Sequence, residues 1–295
     1  MLYDVSHRST FTYAAPVALS HHHLHLRPRD TPLQRVRASR LNIRPMPVVA
    51  SDHQDFFGNR VTDVTVQESH QRLLVEARAQ VAVEAPPARD LAASPSWESV
   101  AAELTGVSSP VARDAQQFTF ASPHVALSQA VLDLASSVFT PGRPFLLCLA
   151  ELTSRIYHDF TYRGGVTDIY TPVEEVIDRQ EGVCQDFAHV GLACLRVLGL
   201  AARYVSGYLL THPPEGQPRR IGADASHAWI SAWCPQFGWV DADPTNDLLV
   251  GDEHITLAWG RDYGDVSPIN GSVVGGGAHK VHVAVDVVPL ETVPA

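Results

Sequence analysis

The sequence predicts an α+β protein, in which an all-β N-terminal domain precedes a core of helices packed on an antiparallel β-sheet. Three observations indicate this arrangement. The first 84 residues contain short β-branched and aromatic segments bounded by Pro, Asp, Asn and Gly. From residue 126 the apolar residues recur at helical spacing. Near residue 202 that spacing changes to the two-residue period of strands.

The composition disfavours several classes of function. The 295 residues include 22 Lys and Arg against 32 Asp and Glu, which gives a formal charge of −10. Binding to nucleic acid requires a basic surface, so we expect no nucleic-acid partner. The start of the chain lacks a signal-peptide pattern, and no run of about 18 apolar residues occurs. We therefore expect a cytoplasmic protein with no membrane partner, while the composition leaves its oligomeric state open.

The N-terminal domain is predicted over residues 1–84. Its strands are expected at residues 3–13, 36–43, 61–67 and 73–83. A connector rich in Ala, Pro and Ser, with one short helix, is predicted over residues 85–124. The remaining residues, 125–295, are predicted to form the core together with a C-terminal strand.

Four helices are predicted at the start of this core. Helical spacing of apolar residues indicates two, over residues 126–139 and 145–160. A third begins after Pro172 with acidic residues in its first turn, where the helix dipole favours negative charge, and should stop at Gly182. A fourth begins at Cys184 and should end at Gly199, with one apolar stripe along it.

Strands are predicted to follow these helices. The two-residue period indicates strands over residues 202–210, 225–233 and 237–243, with a polar loop over residues 211–220. A last strand begins at residue 279, where alternation places valines 281, 283, 285 and 287 on one face.

Cys184 is the candidate nucleophile. The four cysteines include no CxxC pair, so free thiols are expected. A thiolate is the reactive form of cysteine, and the partial positive charge at a helix N-terminus stabilises it. Cys184 is the cysteine at such a position. The positions of Cys148, Cys194 and Cys234 favour structural roles.

A nucleophilic cysteine also requires a base and a group that orients the base. His227 lies in one predicted strand and Asp243 ends the next. If the hairpin turns about Pro235, these two residues face each other directly, with Cβ atoms about 4.5 to 5.5 Å apart. Asp241, two residues away, is the competing acid.

Three sequence blocks resemble the core of the bacterial transglutaminase-like superfamily, whose members share a papain-like fold. These blocks are GVCQDFAH, SHAW and GW..DPTN, complete and in order. The β-rich N-terminal segment, with DFFGNRV, and the tail around GRDYGDVSPINGSVVGGG are also similar to those of bacterial members. The resemblance therefore covers nearly the whole chain.

The resemblance implies a catalytic triad of Cys184, His227 and Asp243, which decides against Asp241. Family members include cross-linking enzymes, peptidases, amidases and inactive proteins. The first hypothesis is a cysteine hydrolase that acts on a protein or peptide through an acyl-enzyme. The second is a transglutaminase-type acyltransferase that uses an amine acceptor, and the third is an inactive peptide- or protein-binding module.

Two details of the site stay open at this point. The backbone N–H of Cys184 is the natural first oxyanion donor, whereas Gln185, Tyr162 and Trp229 are alternatives for the second. Trp229 and Trp239 either shield the His–Asp pair from water or belong to the core.

The run HHHLH, residues 21–25, places His21, His23 and His25 on one strand face. A polar strand face is the favoured interpretation, and a transition-metal site is the alternative. The sequence contains no EF-hand loop and no nucleotide-binding glycine pattern. We therefore expect no cofactor, and no metal in the thiol chemistry.

Overall fold

A computed structural model describes residues 1–106, 109–212 and 226–290. The N-terminal region consists of antiparallel strands, as the β-branched segments predicted. They are β1 (Leu2–Leu24), β2 (Gln34–Arg44), β3 (Val49–Gln54), β4 (Arg60–Val66) and β5 (His70–Val83). Their order in the sheet is β2-β5-β1-β4-β3.

β1 is the central strand of this sheet, and it is longer than the predicted segment of residues 3–13. Its first half pairs with β5 and its second half with β4. The pairing with β5 shifts register between Thr12 and Val17. Such an irregularity bends a strand, so β1 takes part in two differently oriented parts of one curled sheet.

Helices follow the sheet. Two lie within the predicted connector, α1 (Trp97–Gly106) and α2 (Pro110–Gln116), where one short helix was expected. The next two, α3 (Gln129–Val138) and α4 (Phe145–Asp159), match the prediction closely. Among the residues that the structure describes, no helix combines the length and apolar character needed to cross a membrane.

Two further helices precede the core sheet. α5 (Val173–Arg179) ends before the predicted stop because Gln180 takes a left-handed conformation with φ of 50°. Short strands β6 (Thr161–Tyr162) and β7 (Glu181–Gly182) pair in parallel just before α6 (Cys184–Val197). Residues 186–196 of α6 are all buried, so the predicted apolar stripe is only part of its buried surface.

The core sheet is antiparallel in the order β11-β10-β9-β8-β12. Its strands are β8 (Ala202–Leu209), β9 (Ser226–Cys234), β10 (Gly238–Asp243), β11 (Leu248–Leu249) and β12 (His254–Gly260). The predicted strands are therefore confirmed within the described residues, whereas residue 225 and the loop from residue 213 onward lie outside them. α6 packs closely on β9, since a Cβ at Gly191 would lie 3.1 Å from Ile230.

The C-terminal strands return to the N-terminal sheet. After α7 (Tyr263–Val266), β13 (Ile269–Gly275) and β14 (His279–Leu290) both pair antiparallel with β1. The predicted C-terminal strand, β14, thus lies beside β1. Its predicted valine face is only half covered, because Val285 and Val287 are buried while Val281 and Val283 are exposed.

Side-chain amides join the two sheets. Gln34 donates to the carbonyl of Thr256 at 2.8 Å and accepts from its N–H at 2.9 Å. Asn59 makes the same pair of hydrogen bonds with the backbone of Trp259, at 2.8 and 2.9 Å. Both amides are buried. They satisfy backbone groups on the outer edge of β12, beside which the described residues form no further strand of the core sheet.

Candidate active site

Cys184 is the first residue of α6, and the turn that presents it is fixed by side chains. The Asp186 carboxylate accepts hydrogen bonds from the Val183 N–H at 2.8 Å and from the Thr167 hydroxyl at 2.7 Å. Cys184 is half-buried, whereas the other three cysteines are buried and all four are free. The helix N-terminus therefore holds a thiol that solvent can reach.

The β9–β10 hairpin brings His227 and Asp243 together, with His227 Nε2 at 2.7 Å from Asp243 Oδ2. The predicted direct opposition of these residues is wrong. Gly238, which has a φ of +68°, pairs with Cys234, so the turn is centred on Gln236, one residue beyond Pro235. The register is shifted by two residues, which keeps both side chains on one face as diagonal neighbours.

Asp241, the competing acid, has a different partner. Its carboxylate accepts a hydrogen bond from Trp229 Nε1 at 3.1 Å. Trp229 therefore already uses the N–H that it would need as a second oxyanion donor. Gln185 and Tyr162 stay open for that role. Burial raises the pKa of Tyr162, and the charge of Cys184 adds to this effect.

Four donors surround the buried Asp243 carboxylate. Oδ2 accepts from His227, from Asn246 at 2.7 Å and from His254 at 3.0 Å. Oδ1 accepts from the Thr245 N–H at 2.9 Å. Burial alone would raise the pKa of Asp243, but hydrogen bonds from His227 and His254 outweigh it and hold the pKa well below its ordinary value. Asp243 is therefore a carboxylate.

His227 lies between this carboxylate and the thiol. Burial opposes its protonation, but hydrogen bonds to Asp243 and Cys184 raise the pKa of His227 to about 9. Because Nε2 donates to Asp243, Nδ1 is the ring nitrogen left for Cys184. The acid thus fixes the tautomer in which the imidazole can accept the thiol proton.

The two tryptophans have separate environments. The fully buried Trp229 packs beside His227, with ring centroids 6.1 Å apart, and beside His254, at 5.2 Å. Trp239 instead stacks on the guanidinium of Arg203 at 4.2 Å. Trp229 therefore covers the imidazoles, while Trp239 packs on Arg203 and, edge-on, on Phe118 at 5.4 Å.

Sequence reasoning missed His254 and Asn246 as partners of the acid. Asn246 belongs to the DPTN block, which was a usable signal, but no pattern marks His254. His227, Asp243 and His254 also form a cluster that could hold a metal ion, since their ligand atoms lie within 4.8 Å of one another. In the structure both histidines are hydrogen-bonded through Nε2 to the Asp243 carboxylate.

Comparisons with known proteins agree with this architecture. The sequence model of the bacterial transglutaminase-like N-terminal region matches residues 3–82, and that of the transglutaminase-like superfamily matches residues 146–244. A solved structure of a candidate cysteine protease from Cytophaga hutchinsonii has a TM-score of 0.75 at 21% identity, covering 100% of this chain and 93% of that chain. It shares the fold.

Relatives of known sequence extend the comparison. An uncharacterized protein of Mycobacterium tuberculosis is 43% identical over 297 residues, which cover 98% of this chain and 93% of the relative. A protein-glutamine gamma-glutamyltransferase of Pseudomonas aeruginosa is 30% identical over 101 residues, covering 33% of this chain and 15% of that protein. From its β-rich N-terminal region through its helix-and-sheet core, the chain belongs to the transglutaminase-like superfamily.

Proposed function

We propose that this protein is a cysteine-dependent hydrolase that cleaves peptide or amide bonds through Cys184, His227 and Asp243. One observation carries the proposal. The buried imidazole of His227 lies 2.7 Å from the Asp243 carboxylate, and the half-buried thiol of Cys184 is near enough to raise the pKa of the same imidazole. This arrangement of nucleophile, base and orienting acid is the one that acyl transfer requires.

The proposed reaction proceeds from the form in which the proton shared by Cys184 and His227 resides on Nδ1 of His227, in keeping with the raised pKa of that imidazole. The thiolate attacks the substrate carbonyl, and the backbone N–H of Cys184 stabilises the oxyanion. The carbon–nitrogen bond then breaks, and His227 gives its proton to the departing amine. Water attacks the resulting thioester with His227 again as base, which releases an acid and restores the thiol.

A second candidate is amine transfer, in which a primary amine replaces water in the last step. The similarity of 101 residues to a protein-glutamine gamma-glutamyltransferase favours this alternative. Both reactions use the same acyl-enzyme, so the triad does not distinguish them. The distinction depends on which nucleophile reaches the thioester.

The test is incubation of the purified chain with a casein digest in ¹⁸O-labelled water, with and without a fluorescent primary amine. Mass spectrometry that finds cleaved or deamidated peptides carrying ¹⁸O supports the hydrolase. Peptides conjugated to the amine support the transferase. Cys184→Ala is the control and should abolish either product. Absence of both products and of acyl-Cys184 would overturn both proposals and favour an inactive peptide-binding protein.

A further inference from the structure

Three neighbouring strands of the N-terminal sheet place two histidines and an aspartate together. His23 on β1 lies directly opposite Asp63 on β4. His53 on the neighbouring β3 lies opposite Val61, two residues before Asp63. Because side chains alternate along a strand, all three project from the same face of the sheet.

The three side chains are close enough to share one ligand. His23 Nδ1 lies 2.6 Å from Asp63 Oδ1, and His53 Nδ1 lies 3.5 Å from Asp63 Oδ2. One ligand atom from each residue lies within 4.8 Å of the other two. Their side chains are 41%, 41% and 52% exposed, for His23, His53 and Asp63 respectively. An ion from solvent can therefore reach them.

We propose that His23, His53 and Asp63 form a binding site for a divalent transition-metal ion of the Zn²⁺ class. Imidazole and carboxylate are the ligands that such ions accept. Bonds of about 2.0 Å in tetrahedral geometry separate ligand atoms by about 3.3 Å. The His53–Asp63 distance is close to this value, and a small rotation of the exposed Asp63 opens the shorter His23 contact. Water fills the remaining positions.

The neighbouring polar side chains have other partners, which limits the site to these three protein ligands. His21 is hydrogen-bonded to Thr65 at 2.9 Å. The buried His25 contacts Asp55 at 3.4 Å and the Ser267 carbonyl at 3.2 Å. The run of alternating histidines therefore contributes one ligand, His23. The other two ligands of the site, His53 and Asp63, lie on β3 and β4.

The bound ion would stabilise the edge of the N-terminal sheet that β3 forms. All six residues of β3 are exposed, and among the strands of the described residues β3 pairs only with β4, at the end of the strand order. A metal bound by His53 would tie this strand to β4 and β1. None of the three proposed catalytic residues lies on these strands, so the site is separate from the thiol chemistry.

The test is titration of the full chain with Zn²⁺ by isothermal calorimetry, in a Cys184→Ser background that removes the half-buried thiol. We expect one saturable site. His23→Ala, His53→Ala and Asp63→Asn should each weaken Zn²⁺ binding at least about tenfold. His21→Ala, on the same strand face, is the matched control and should leave the affinity unchanged.

A second readout is hydrogen exchange of the β3 amides, which Zn²⁺ should slow in the parent chain but not in His53→Ala. Circular dichroism of the metal-free variants checks that each is folded. The proposal is overturned if no saturable binding occurs, or if His21→Ala weakens binding as much as the ligand variants. It is also overturned if all three ligand variants retain the parent affinity, which would assign the ion to the His227–Asp243–His254 cluster.

Discussion

At the scale of single residues, Asp243 Oδ2 is the point on which the candidate site converges. Two imidazoles and an amide donate to this one oxygen, and burial removes competing water. Each donor stabilises the charged form of the acid. In the proposed triad, His254 is therefore a positioning residue, because its hydrogen bond holds the carboxylate that contacts His227.

The choice of acid can be tested by alkylation of Cys184 with iodoacetamide near neutral pH. Asp243→Asn and His227→Ala should each slow alkylation at least about tenfold, because the imidazole no longer supports the thiolate. Asp241→Asn should have little effect, since Asp241 contacts Trp229 rather than His227. The buried cysteines should react slowly in every variant. Equal rates for Asp243→Asn and the parent would contradict the assignment.

The raised pKa of His227 predicts a pH-dependent contribution to stability. Its folded value of about 9 lies above the ordinary value of 6.5, so protonation stabilises the folded state. This contribution is complete below the ordinary value and is lost as pH rises through about 9.

Urea unfolding of the parent and of His227→Gln measures this effect. The difference between their free energies of unfolding should shrink from about pH 6 to about pH 9.5, by up to about 3 kcal/mol. A difference that stays constant over this interval would show that His227 is not held in its protonated form.

At the scale of elements, the sequence predicted most helices and strands, but not how all of them pair. The spacing of apolar residues and the positions of turn residues predicted the bounds of α3, α4, α6 and β8 to within a few residues. The hairpin register was wrong by two residues, because the turn is centred on Gln236 instead of Pro235, with Gly238 in a left-handed conformation directly after it. The shift was harmless for assigning the acid, since a two-residue slip keeps side chains on the same face.

The partners of the sheet edges could not be predicted, because pairing between distant segments leaves no local pattern. β13 and β14 pair with β1 across most of the chain length. His254 joined the site in the same way, through the pairing of β12 with β8. The family blocks predicted Cys184, His227 and Asp243 as site residues, whereas the additional contact of His254 required the three-dimensional arrangement.

Gly207 shows how tightly the core strands support the site. It lies opposite His227, and a Cβ there would be 2.2 Å from the Ile255 carbonyl and 2.4 Å from the Trp229 ring. Gly207→Ala should lower the free energy of unfolding by about 1–3 kcal/mol and slow alkylation of Cys184, because Trp229 must move.

The matched control is Gly251→Ala, where a Cβ meets nothing within 4 Å. This variant should have nearly the same free energy of unfolding in urea and the same rate of Cys184 alkylation as the parent. If Gly207→Ala were as stable and as reactive as this control, the proposed packing of Trp229 under the imidazoles would be incorrect.

At the scale of the whole molecule, the two sheets form one structural unit. A single hydrophobic cluster includes Tyr3 and Val287 of the N-terminal sheet together with Leu149 and Ile230 of the core. Gln34 and Asn59 add hydrogen bonds between the sheets. We therefore expect the chain to unfold in one cooperative transition that includes both predicted domains.

Substitution of the bridging amides tests this coupling. Gln34→Ala and Asn59→Ala should each destabilise the protein by about 1–3 kcal/mol, because backbone groups of β12 lose buried partners. The control is Gln71→Ala, which removes an exposed amide of the N-terminal sheet. It should change the free energy of unfolding only slightly. Near- and far-UV circular dichroism should report coincident urea transitions in all three variants. Two separate transitions would contradict a single cooperative unit.

The pairing of β1 with β14 also affects how the chain folds during its synthesis. The ribosome makes β1 before the core and β14 after it, so one edge of β1 lacks its partner while the core is being synthesised. Unpaired strand edges readily join other chains. Nascent chains should therefore depend on chaperone protection until the last strand emerges, and slowing translation should lower the soluble yield.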